Sequence, residues 1–189
     1  MEKNKNRKNP YNLNDCTFLG KGHNGEVYLL PDGNAIKLCF NTKDFKGEYR
    51  ILKRVNGNKY FPRIDEVGSN YMVRECVDGE ILSSYIKRNG MNETLGYNII
   101  EMLKEFKKLS FKKIDIRCRD IFVQFDGSLK IIDPQNFYSK SRSFPQHLSK
   151  GLYNLGVLDS FLEILNDKEP ELYKKWSPRV NKYISKIYK

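Results

Sequence analysis

With 189 residues the chain has room for one domain with a real core, or for two small lobes. A 39% hydrophobic fraction, 13% of the chain being aromatic, excludes a disordered composition. No apolar run reaches the roughly 18 residues of a membrane-spanning helix, and the net charge of +11 favours phosphate-bearing partners.

Nucleic acid is such a partner, but no RNA- or DNA-binding motif supports it. Lys and Asn are abundant everywhere, so much of the charge reads as solvated surface. Residues 1–12 read as a flexible basic tail; they lack the apolar centre of a secretory signal, and a cytoplasmic location is expected. Cys16, Cys39, Cys76 and Cys118 are far apart, with no CxxC pair. Reduced thiols are expected, three of them within apolar strands, and neither zinc nor a disulfide frame.

From Thr17 to Leu30, β-favouring residues flank a glycine-containing bend, which predicts two antiparallel strands. The turn Pro31-Asp-Gly-Asn34 leads to a third strand, 35–40. Residues 43–55 predict a helix with Phe45, Tyr49, Leu52 and Val55 on one face, and Gly57 follows its end. Segments 63–67 and 71–77 read as a strand pair around Gly68-Ser-Asn70. After Asp78-Gly79 the pattern turns helical. A short helix is expected over 80–88, and a longer one capped by Asn92, with Leu95, Ile99, Met102, Leu103, Phe106 and Leu109 as its apolar stripe. Residues 111–120 read as non-helical, 121–125 and 129–132 as two short strands around Asp126-Gly-Ser128, and 152–165 and 171–188 as helices.

Four motifs carry chemistry. Gly20-x-Gly22-x-x-Gly25-x-Val27 places glycines in a hairpin bend where backbone N–H groups can approach phosphates. The segment after it reads as a strand, which separates it from a dinucleotide fingerprint, and no Gly-Lys-Ser/Thr closes it as a Walker loop. Ala35-Ile-Lys37 follows, then Glu48 in the predicted helix. The third motif is Asp115-Ile-Arg-Cys-Arg-Asp120, running into an apolar strand. The fourth is Leu129-Lys-Ile-Ile-Asp133, a strand ending in a carboxylate.

In this order the motifs resemble the protein-kinase-like superfamily, over about residues 17–137. The resemblance implies an α+β, two-lobed fold. Residues 13–77 would form an N-lobe with a five-stranded antiparallel sheet and one helix; residues 78–189 would form a small, truncated, mostly helical C-lobe. It implies Mg-ATP as cofactor: Gly20, Gly22, Gly25 and Val27 over the phosphates, Lys37 on the α- and β-phosphates, and Glu48 holding Lys37. Backbone groups of Glu75 and Val77 would hydrogen-bond adenine. Asp120 and Asp133 would hold Mg²⁺. Asp115 would accept the acceptor hydroxyl's proton, and Arg117 would add positive charge near the γ-phosphate. The implied activity is phosphotransfer, by default to protein serine or threonine.

Several residues depart from the family pattern. Lys113 and Ile114 replace the His and Arg that usually precede the catalytic aspartate, so control through a phosphorylated activation loop is expected to be absent. Asp120 replaces an asparagine, and Pro134-Gln135 replaces Phe-Gly. Arg74 stands at a usually apolar position before the hinge. The short span after Asp133, without Ala-Pro-Glu, is similar to RIO-type and lipopolysaccharide-core kinases. A nucleotide-binding pseudokinase acting as an interaction module and a small-molecule kinase therefore remain alternatives.

Overall fold

The computed structural model describes residues 10–134 and 136–188, and the chain divides into two units, Met1–Val77 and Asp78–Lys189. The arrangement is two-lobed α+β, the class the sequence predicts.

In the first unit, β1 (Thr17–Lys21), β2 (Gly25–Leu29), β3 (Ala35–Cys39), β4 (Ile64–Val67) and β5 (Tyr71–Arg74) form an antiparallel sheet in the order β1-β2-β3-β5-β4. Every residue of β3 and β5 is buried, as their near-continuous apolar sequence dictates. Their side chains fill both faces of the sheet, so the two charged residues among them, Lys37 and Arg74, must find partners inside. The one α-helix among the described residues of this unit, α1 (Thr42–Arg54), starts where the Asn41 side chain accepts from the Asp44 amide at 2.8 Å, and it ends on Lys53 and Arg54. Its buried face holds Phe45, Glu48, Ile51 and Leu52; Tyr49, expected on that stripe, is only half-buried. β5 stops at Arg74, three residues short of the expected strand end.

Residues 1–9 of the expected tail lie outside the described residues, as does Gln135. Tyr11 donates to Glu66 at 2.6 Å and meets Tyr71 edge-on, while Tyr71 donates to the other Glu66 oxygen, also at 2.6 Å.

The second unit is mostly helical: α2 (Leu82–Asn89), α3 (Glu93–Lys108), α4 (Gln146–Asn154), α5 (Leu158–Lys168) and α6 (Pro170–Ile187). It also carries a small sheet in which β7 (Ile121–Val123) pairs with β8 (Leu129–Ile131) and with β6 (Glu80–Ile81). β6 has two residues, too few to show a period, and the sequence places a helix there. Asn92 caps α3 through the Leu95 amide at 2.8 Å, and the predicted stripe is buried up to Phe106.

The helix expected over 152–165 is two helices. Gly156 takes φ +71° after α4. Its N–H donates to Tyr153 O at 2.9 Å, and that of Val157 to Leu152 O at 3.0 Å. Those two bonds with a left-handed glycine make a Schellman stop, and the chain turns before α5 begins. All four cysteines are free thiols; only Cys39 lies within a strand, whereas Cys118 is in a 3-10 turn, Cys118–Asp120. No helix among the described residues is long and apolar enough to cross a membrane.

Candidate functional site

The predicted residues fall into two groups, one in each unit. In the first, the β1–β2 hairpin carries the three glycines. Gly20 pairs with Val27, and the Gly22 N–H donates to Gly25 O at 2.9 Å. Only one of these glycines is demanded by the fold. A Cβ on Gly25 would stand 2.3 Å from Leu38 O, where β2 crosses close to β3. At Gly20 and Gly22 a Cβ would meet nothing within 4 Å.

Lys37 lies in the middle of β3, opposite Val27 on one side and Met72 on the other. Its side chain is 6% exposed, and Nζ stands 2.5 Å from Glu48 Oε2. The second Glu48 oxygen accepts from Arg74 Nη1 at 3.0 Å. Glu48 thus carries a cation on each oxygen, and all three side chains are buried. Desolvated charges need this kind of pairing, because an isolated carboxylate in the same place would be strongly destabilising. The place of Arg74 at a normally apolar position is explained by this contact. Glu75 and Val77 follow β5 and are half-buried. The Glu75 N–H is used by Arg63 O at 2.8 Å, so a base bound there would meet its carbonyl.

In the second unit, the segment leading to Asp115 is held by the chain that follows Asp133. Phe137 O accepts from Lys112 at 2.9 Å and Lys113 at 3.1 Å, and Arg142 O accepts from Ile114 at 2.7 Å. Phe137 stacks on Phe111 at 4.6 Å and tilts against Phe106 at 5.0 Å. Lys113, in the place of the family's histidine, lies over the Phe137 ring at 5.2 Å; burial lowers its ammonium pKa, against the pull of Asp115 and Asp120.

Asp115 is fully buried. Its Oδ1 accepts from the backbone of His147 at 2.8 Å and of Leu148 at 3.4 Å, and its Oδ2 contacts His147 Nδ1. These amides belong to the first turn of α4, which has no local side-chain cap. A carboxylate at that end satisfies orphan donors and meets the positive end of the helix dipole. Arg117 is exposed.

Asp120 ends the 3-10 turn, and its carbonyl accepts from Ile132 at 3.0 Å, which ties the turn to the end of β8. Burial raises the Asp120 pKa, and the nearby Asp133 carboxylate raises it further; Arg119, Arg117 and Lys113 oppose. Asp133 adopts φ +52°, a left-handed conformation uncommon outside glycine. Among the described residues no group of three or more His, Cys, Asp or Glu could hold a metal ion. Two neighbouring carboxylates are nevertheless the donor chemistry of Mg²⁺, which takes one or two carboxylates and completes its shell with phosphate and water.

The structure thus brings Lys37 to Glu48, and Asp120 into the field of Asp133. It adds two partners that the sequence reading did not assign, Arg74 and His147. Arg74 had a signal, a charge inside an apolar strand. His147 had none, since it lies 32 positions from Asp115.

No protein-family model matches the chain. A Bacillus subtilis (strain 168) protein named "Putative serine/threonine-protein kinase YrzF" is 23% identical over 129 residues, which are 65% of this chain and 60% of that protein. The chain therefore spans about three fifths of the relative's length. The likeness is weak and partial; together with the two-lobed α+β arrangement it relates this chain to the protein-kinase-like superfamily.

Proposed function

We propose that the chain binds Mg-ATP and transfers its γ-phosphate to an acceptor hydroxyl. The observation that carries this reading is the buried Lys37–Glu48 pair at 2.5 Å. A lysine fixed by a carboxylate in the middle of a strand is a costly arrangement for stability alone. It is the arrangement that aims an ammonium at phosphate oxygens.

The glycines fit the same reading. The fold explains Gly25, but among the described residues nothing lies within 4 Å of a Cβ built on Gly20 or Gly22. Backbone that must come close to phosphates needs such openness. Val27, opposite Lys37, continues the hairpin, and the backbone of Glu75 and Val77 would meet the base. Asp120 and Asp133 would hold Mg²⁺, which supplies charge neutralisation on the phosphates. Arg117 would add positive charge, and Asp115 would serve the proton of the acceptor. Catalysis would rest on positioning and charge stabilisation. The relative's name favours serine or threonine hydroxyls as acceptors; a small-molecule hydroxyl is the competing acceptor.

A second reading, a nucleotide-binding module without transfer, draws on the burial of Asp115 beneath α4. One experiment separates the two: the thermal midpoint with and without millimolar Mg-ATP, alongside transfer of labelled γ-phosphate. Ligand binding to the folded state raises the midpoint. A shift with transfer supports the kinase, a shift without transfer supports the module, and no shift removes both.

A further inference from the structure

Residues 134–158 and 172–189 contain nine Lys and Arg and no Asp or Glu. The rest of the chain holds twenty-five cations against twenty-three anions, so these two segments supply nine of the net +11 charges. The second unit brings them together. Arg179 of α6 donates to Ser143 Oγ at 3.2 Å, the Tyr183 ring meets Phe144 edge-on at 6.3 Å, and the Tyr188 ring meets Tyr153 at 4.7 Å. These contacts advance in the same direction along both segments, so α4 and α6 share one seam.

Within α6 the cations are in register. Lys175, Arg179, Lys182 and Lys186 are exposed and follow one another at steps of four, three and four. At 3.6 residues per turn and 1.5 Å per residue, they fall within about 60° of the circumference and form a line about 16 Å long. The inward face of the helix holds Trp176, Val180 and Ile184. Lys150 is exposed on α4, one turn before Tyr153 and on the same face. Unlike Lys174, which Glu171 holds at 2.9 Å, none of these five cations has an ion-pair partner among the described residues. Like charges three and four positions apart on a helix repel. A face that is merely solvated gains by mixing signs, as α3 does with Glu105 and Lys108; this one keeps the repulsion.

At the end of the stripe, Tyr153 and Tyr188 are 44% and 43% exposed. A line of cations ending on exposed aromatic rings suits a single strand of nucleic acid, whose phosphates follow the charges while an unpaired base stacks on a ring. A helix that binds an anionic membrane inserts its apolar face, but that face of α6 is buried within the unit. We propose that the α4–α6 seam binds a single strand of nucleic acid, with phosphates along the α6 stripe and a base against the Tyr153–Tyr188 pair. The phosphotransfer reading is not needed for this, since the seam uses none of its residues.

The test titrates the full chain into a labelled oligouridylate of about twelve nucleotides, within the usual site sizes for such strands. Anisotropy is read between about 50 and 200 mM KCl, where four or five neutralised phosphates give log affinity a slope of about −3 against log salt. Lys182→Gln with Lys186→Gln should make that slope shallower by about 1.4. Tyr153→Ala with Tyr188→Ala should lower affinity about tenfold and leave the slope unchanged. Lys87→Gln with Lys107→Gln removes the same charge from exposed positions on α2 and α3, and should change neither. Thermal midpoints check that each variant is folded. An equal loss in the Lys87 and Lys107 pair overturns the proposal, because affinity would then follow net charge. Unchanged affinity without the two tyrosines overturns the assignment to a single strand. Phosphatidylserine-containing vesicles that bind the wild type and release the Lys182 and Lys186 variant, with no oligouridylate affinity, would give the seam to a membrane surface instead. Affinity for neither probe makes the stripe a solvated face and ends the proposal.

Discussion

Arg74 reaches Glu48 across 3.0 Å, from β5 to α1, and takes the carboxylate oxygen that Lys37 does not use. The helix is therefore fastened to two adjacent strands of the sheet through one side chain. Replacing Arg74 by Met removes the cation from Glu48 Oε1 while Lys37 stays on Oε2. The expected loss is about 1–3 kcal/mol, the scale of a hydrogen bond to a charged group in the interior, read from urea denaturation. Because Arg74 and Glu48 touch, Arg74→Met and Glu48→Gln should combine non-additively. Additive losses would mean that the contact carries no coupling.

The three glycines should separate by phenotype. Gly25→Ala forces a Cβ to 2.3 Å from Leu38 O and should destabilise the first unit by about 1–3 kcal/mol, the scale of an overpacked core site. Gly20→Ala and Gly22→Ala meet no neighbour and should stay within about 0.5 kcal/mol of wild type. Their effect should appear in Mg-ATP affinity, measured by calorimetry. Unchanged affinity in both would detach these two positions from phosphate binding.

Lys37→Met should abolish most of the thermal shift caused by Mg-ATP while Glu48 keeps its bond to Arg74. Differential scanning fluorimetry at several nucleotide concentrations checks this. An undiminished shift would exclude Lys37 from the nucleotide site.

Asp120 sets a pH dependence of defined sign. Its folded pKa is raised above the ordinary 3.8 by burial first and Asp133 second. Over the window from that value up to the raised one, the folded state holds a proton that the unfolded state has lost. Stability therefore falls as pH rises through the window. Asp120→Asn removes this cost. The variant should melt higher than wild type at pH 7 without divalent ions, and the difference should shrink as pH falls past 3.8 and be gone by about pH 3, where both states are protonated. Melting curves between pH 3 and 8 test this; a gap that persists at pH 3 would locate the effect elsewhere.

The order of elements was legible because apolar runs, turns and glycines occur at the periods that strands and helices require. Lys37 and Glu48 were legible as a pair through the resemblance to the kinase pattern, which sets a carboxylate of the following helix on the strand lysine. The failures are equally physical. β6 is too short for a pattern. The apolar spacing of Leu152, Leu155, Leu158, Phe161 and Leu165, in steps of three and four, runs across the stop at Gly156, so periodicity alone joins two helices that backbone geometry separates. The closure of α4 over Asp115 depends on residues 32 and 33 positions away, and no short-range signal encodes it.

The chain after Asp133 is stitched to the segment before Asp115 at Phe137 and Arg142, and to Asp115 itself at His147. This decides where length can change. An extra residue between Arg142 and His147 would pull a stitch, because both ends are bound to the strip 112–115. Between Phe137 and Arg142, by contrast, Ser139, Lys140 and Ser141 are exposed, and exposed loop tips accept insertions. A peptide tag or fluorophore site placed at Lys140 should therefore leave the Asp115 neighbourhood intact, whereas one placed three residues later should dismantle it.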